Sequence, residues 1–125
     1  MSDPNIARLG NLQAKNVPFR CTNTDPLLLL STTSAQTIKI NSLYITNTNE
    51  CSKHTAIRVY INDGLSTEDT SNYHLVKDIV VPLRTTLILI DRESVVYLRP
   101  NQYLWIVDAL GDSIEGVINY DIMRE

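Results

Sequence analysis

From Thr85 to Ile122 the chain is a succession of short runs rich in β-branched residues, each cut off by turn residues. Residues 85–90 stop at Asp91, residues 94–98 stop at Pro100-Asn101, residues 103–107 stop near Gly111-Asp112, and residues 114–122 close the series. Short strands at this spacing read as an all-β sandwich or barrel. None of the runs carries a helix-period apolar stripe long enough to compete. Ile, Val and Thr supply 13, 9 and 12 of the 125 residues, and such side chains suit a pleated, half-buried surface better than a helix.

The same grammar extends upstream. Asp25-Pro26 is a turn, and residues 27–31 follow as a strand with apolar side chains on both faces. Residues 37–48 read as one long strand with a slip. Ile38 and Ile40 keep one parity, Leu43 and Ile45 the other, and a single β-bulge at Asn41 or Ser42 would return all four to one face. Residues 55–62 alternate, with Ile57, Val59 and Ile61 on one face and Arg58, Tyr60 and Asn62 on the other. A hydrophilic loop over 64–72 leads to a further strand over 73–81. The expected fold class is all-β: a single antiparallel β-sandwich, jelly-roll-like or Ig-like, of about eight strands with an N-terminal arm. Residues 1–20 form that arm or an edge strand, and residues 21–125 form the sandwich domain. The arm is polar apart from Ile6, Leu9, Leu12, Val17 and Phe19, a spacing that suits anchors on another subunit.

Charge and cysteine usage narrow the function. A net charge of −3 leaves no basic surplus to neutralise phosphates, so nucleic acid is not an expected partner. The purely apolar runs, such as residues 27–30, are far too short for a membrane span. The first residues, Met1-Ser2-Asp3-Pro4-Asn5, have neither the charged nor the apolar region of a signal peptide. Cys21 and Cys51 match no metal-binding spacing and are expected to be free thiols, the alternative being a disulfide between neighbouring strands.

Catalytic chemistry has little to build on. His54 and His74 stand at strand beginnings with no nucleophile elbow or zinc spacing near them. Asp63, Glu68 and Asp69 crowd one loop, but not in EF-hand order; they read as solvated charge, with a weak Ca²⁺ site as the alternative. Asp91, Arg92 and Glu93 read as a solvated hairpin turn. Trp105, between Leu104 and Ile106, reads as a core residue. Tyr60 and Arg58, sharing a polar strand face, form the kind of surface that subunit contacts use. No enzyme activity and no cofactor are expected.

The order of segments from Lys39 to Ile122 resembles that of small β-sandwich virion proteins of tailed bacteriophages, of the type found in phages of marine bacteria and cyanobacteria. Residues 38–48 carry the first resembling piece, a strand ending in Asn47-Thr48. Residues 54–61 and an Asp-Gly follow, then residues 75–82, residues 86–90, the strand near Val95, and Ile118-Asn119-Tyr120. Such proteins usually have glycine in the turns before the sixth and eighth strands, where this chain has Leu83-Arg84 and Pro100-Asn101. The resemblance implies a non-enzymatic virion structural protein, made in the host cytoplasm and assembled into the particle as a head decoration or cement, neck or tail accessory component. Its partners would be copies of itself, as a homo-oligomer, and other virion proteins. The alternative is a carbohydrate- or receptor-binding module of a fibre or baseplate. The candidate interface residues are Ile6, Leu9, Leu12, Phe19, Arg58 and Tyr60.

Overall fold

The computed structural model describes residues 12–48, 54–63 and 72–124. Nine strands follow in order: β1 (Leu12–Arg20), β2 (Leu27–Ser31), β3 (Gln36–Asn47), β4 (Thr55–Asn62), β5 (Tyr73–Val81), β6 (Thr86–Ile90), β7 (Val96–Leu98), β8 (Tyr103–Asp108) and β9 (Ile114–Arg124). They form two antiparallel sheets. The first runs β1-β9-β3-β6, with β7 also on β3; the second runs β2-β8-β4-β5. The pairs β1:β9, β2:β8, β3:β6/β7 and β4:β5 are those of one long hairpin ribbon rolled over itself, the jelly-roll pattern. The strand beyond the expected eight is β1. Of the segment read as arm or edge strand, residues 12–20 are an edge strand, and residues 1–11 lie outside the described residues.

β3 shows how the sequence decides the faces. Its register on β9 steps from Ile40↔Tyr120 to Ser42↔Asn119, which leaves Asn41 as the extra residue. The bulge expected from the slip in spacing is therefore at Asn41, and its amide donates to Asp121 Oδ2 at 3.1 Å. Ile38, Ile40, Leu43 and Ile45 all become buried. Without the extra residue, one half of the strand would turn its apolar side chains to solvent. Ile57, Val59, Leu104, Ile106, Ile114 and Ile118 meet them from the other strands to fill the space between the sheets.

β1 is fastened by a ring laid over a glycine. Phe19 pairs with Gly116, and a Cβ at Gly116 would lie 2.3 Å from the Tyr44 carbonyl oxygen and 2.4 Å from the Phe19 ring. An aromatic side chain covering a strand glycine pins the register of the pair.

All four sheet edges are protected. Cys21 N–H donates to Ile114 O, which makes the odd-numbered residues of β1 the ones bonded to β9. The even-numbered residues turn their backbone groups outward, and Pro18 is one of them, so the free edge lacks a donor there. On the far side of the same sheet the edge is split between the short β6 and β7. In the second sheet, β2 is short and irregular at Leu29. β5 bulges at Asp78, which has φ +58° beside Lys77. Short strands, bulges, charge and proline are the usual guards against edge-to-edge pairing.

The two turns without the expected glycine reach the same backbone shape by other means. Arg84 and Asn101 have φ of +55° and +61°. Asparagine tolerates this region. The Arg84 turn is tied down by its N–H donating to Asn47 O at 3.0 Å, while Asn47, fully buried, donates its side-chain amide to Val81 O at 2.9 Å.

Replacing Gly116 by alanine should lower stability by about 1–3 kcal/mol through overpacking against Phe19 and the β3 backbone. Urea unfolding of the variant beside the parent measures it, with the midpoint expected to fall at unchanged slope.

Candidate functional site

The outer face of the first sheet carries the most distinctive surface. With Leu43 and Ile45 turned inward, Tyr44 points out. It pairs with Val117 on β9 and with Ile88 on β6, and Val117 pairs with Pro18 on β1. Pro18, Val117, Tyr44 and Ile88 thus form one apolar row across β1, β9, β3 and β6, about 14 Å long at normal strand spacing. Tyr44 is 38% and Ile88 56% exposed. On one side the row is bordered by Arg20, Glu115, Thr46 and Thr86. Arg20 and Glu115 form an ion pair at 2.7 Å, and the two threonine hydroxyls hydrogen-bond at 2.7 Å. On the other side Asn119 donates to Ser42 Oγ at 2.9 Å.

Tyr44 stands between two hollows. One, of about 360 Å³, is lined by Pro18, Phe19, Val117, Thr46, Thr48 and Glu115. The other, of about 330 Å³, is lined by Ser42, Asp91, Arg92 and Glu93. The second is walled by the β6–β7 turn, which Asp91 builds. Its Oδ1 accepts from Glu93 N at 3.0 Å, Ser94 N at 3.1 Å and Ser94 Oγ at 3.0 Å. The Ser94 hydroxyl, and after it the Glu93 amide, hold the Asp91 carboxyl below the usual carboxylate range. The Glu93 carboxylate has no hydrogen bond or ion pair among the described residues. Asp91, Arg92 and Glu93 do form the polar turn expected of them, and that turn is one wall of a groove.

The named interface candidates are placed differently. Ile6 and Leu9 lie outside the described residues. Leu12 opens β1 opposite Met123. Phe19 packs partly buried against the molecule's own core. Arg58 does face outward, where its guanidinium grips Asp78 at 2.7 Å; that contact, first of all the hydrogen bond, lowers the Asp78 carboxyl below its ordinary range. Tyr60 corrects the expectation of an exposed Tyr-Arg face. It is on the outward side of β4, yet only 3% exposed. Trp105 pairs with it on β8, and the His74 ring lies 5.2 Å away on β5, so the large side chains shield one another. Trp105 is buried as expected, but on this outer side and apart from the central core. Its indole N–H donates to Asn62 Oδ1 at 3.1 Å, and Asn62, 1% exposed, donates in turn to Asn72.

A buried polar knot escaped the sequence reading. Asp108 is fully buried at the end of β8. It accepts from Thr55 Oγ1 at 2.5 Å, Leu110 N at 3.0 Å, Ser113 N at 3.0 Å and the Ser113 hydroxyl. Four donors satisfy the carboxylate and hold the β8–β9 loop against β4, a structural task rather than a catalytic one. Gly111, φ +91°, turns that loop where a Cβ would press on Asn23. The available signal was parity: Leu104, Ile106 and Asp108 share one strand face, so an acid there had to be buried and bonded. Beside it Cys21 is a free, buried thiol; burial first, and the Asp108 charge second, push its pKa up to about 12. Cys51 lies outside the described residues, as do Glu68 and Asp69 of the loop weighed for Ca²⁺. Among the described residues no cluster of three His, Cys, Asp or Glu side chains could hold a metal ion.

No family model matches the chain, and no curated protein matches it. The resemblance to tailed-phage virion proteins thus stands on its residue pattern alone. Solved structures do match. A protein of the Bacillus endospore appendages, a family of disulfide-linked pili, is 12% identical over 91% of this chain and 88% of that one, with a TM-score of 0.44. A chain of infectious bursal disease virus strain Gx is 9% identical over 88% of this chain, with a TM-score of 0.39. A chain of the T13 particle of the same virus is 11% identical over 92%, with a TM-score of 0.38. The chain spans only 37% and 31% of the two viral chains.

Two outcomes follow from the knot. Asp108→Ala should cost about 2–3 kcal/mol by orphaning buried donors, read as a lower urea midpoint. Iodoacetamide at pH 8 should leave Cys21 unmodified in the folded protein and alkylate it in denaturant, since the thiolate is the reactive form; peptide mass mapping distinguishes the two states.

Proposed function

We propose that this chain is a non-enzymatic structural subunit of a virion, a head decoration, neck or tail accessory component of a tailed phage, which assembles with copies of itself and with other virion proteins. The observation that carries the reading is the apolar row Pro18–Val117–Tyr44–Ile88, bordered on both sides by polar side chains bonded to each other. An apolar centre with a satisfied polar rim is the anatomy of a protein–protein contact. The guarded edges direct that contact to a face, because strand addition at Pro18 or at the Asp78 bulge would leave backbone groups without partners. The jelly roll is an architecture of viral capsid domains and also of lectins; by fold analogy alone it serves both this reading and the carbohydrate-binding alternative.

The expected behaviour is concentration-dependent self-association in sedimentation velocity. Tyr44→Asp with Ile88→Asp should shift the protein to monomer while thermal unfolding stays cooperative. A parent protein that remains monomeric at all concentrations and is absent from purified particles would falsify the reading. Binding on a glycan array that Tyr44→Ala abolishes would move it to the alternative.

A further inference from the structure

We infer that the groove on either side of Tyr44 receives residues 1–11 of a second copy of this chain, an inference that rests on the assembly reading above and names its contact. The groove has two different ends. One is mainly apolar, between Pro18, Val117 and Tyr44; the other is polar with a net negative lining, in which the fixed Asp91 carboxylate and the unengaged Glu93 carboxylate outnumber the one Arg92 guanidinium. Residues 1–11 hold two matching groups, Ile6 and Arg8. In an extended segment residues two apart point the same way, about 7 Å from each other. Tyr44 lines both hollows, so such a pair places Ile6 in the apolar hollow and Arg8 in the net-negative one, astride a single tyrosine ring.

Chain length assigns the segment to another copy. β1 begins at Leu12, beside Met123, and runs toward Pro18. The apolar hollow lies at the Pro18 end, about 20 Å along the strand from Leu12. The groove therefore lies at the far end of β1 from Leu12, where residues 1–11 join it. To occupy the hollow of its own molecule, Ile6 would have to reverse direction and cover that distance. The stretch from Ile6 to Leu12 spans at most about 21 Å when fully extended, so nothing remains for the turn. A second copy, placed freely, meets no such limit.

The test uses the full chain, a chain lacking residues 2–11, and a synthetic peptide of residues 1–11 carrying a fluorophore at its C-terminus. The peptide should bind the truncated chain in an anisotropy titration, and the truncated chain should self-associate at least tenfold more weakly than the full one. Glu93→Arg should weaken parent peptide binding about tenfold, and a peptide with Arg8→Glu should recover binding to that variant. If the truncated chain fails to fold, the full chain carrying Ile6→Asp and Arg8→Glu replaces it in sedimentation. Self-association unchanged by either alteration overturns the inference and leaves the assembly reading standing. A full chain that never self-associates overturns the inference, and one that is also absent from purified particles removes the assembly reading with it. Peptide binding to the truncated chain alongside a full chain that stays monomeric would show the chain-length argument to be wrong and also overturns the inference.

Discussion

One extra residue in β3 sets the orientation of nearly everything else. The Asn41 bulge lets a twelve-residue strand keep Ile38, Ile40, Leu43 and Ile45 on the inner side although their spacing changes parity midway. β3 is also the hub of its sheet, bonded to β9 on one side and to β6 and β7 on the other. Its register therefore fixes which residues of three further strands face in. The outer surface is the complement of that choice: Tyr44 and Ser42 look outward because Leu43 and Ile45 do not. Core and surface are decided by the same local event, and Asp121 holds it by accepting from the Asn41 amide.

This also explains what could be read from the sequence. Alternation and β-branched runs report on the backbone period, so strand positions, the sandwich and the bulge were accessible residue by residue. Exposure is a different quantity. It depends on neighbours brought in by pairing, and pairing is nonlocal. Tyr60 shows the gap: its parity correctly placed it on the outer side of β4, but only the register sets Trp105 beside it and His74 against its ring. The groove around Tyr44 was hidden for the same reason. Its lining comes from β1, β3, β9 and the β6–β7 turn, and no window of sequence contains two of these together. Asp108 was closer to legible, since a lone acid continuing an inward-facing parity has to be bonded; the donors on Thr55 and Ser113 were not.

Glycine is scarce in this chain, with four residues, and the fold shows how a β-sandwich manages. Left-handed backbone falls on Asp78, Arg84 and Asn101 as well as on Gly111. Each of the first two is tied in place by hydrogen bonds, Asp78 through the Arg58 guanidinium and the Arg84 turn through the backbone of Asn47. Gly116 serves none of these turns; it is used in mid-strand, where the need is space for the Phe19 ring rather than torsional freedom.

The apolar row has a temporal meaning. Its four members come from the first strand, the third, the sixth and the last. Contacts so distant in sequence form late, because chain closure must precede them. During synthesis Val117 emerges after the other three, and until β9 pairs with β1 and β3 the row is split into separate pieces. A partner that recognises the whole row is therefore recognising a finished molecule. If that row is the surface that joins copies, as proposed, it exists only on a copy whose strands have all paired, and an unfinished chain would lack it.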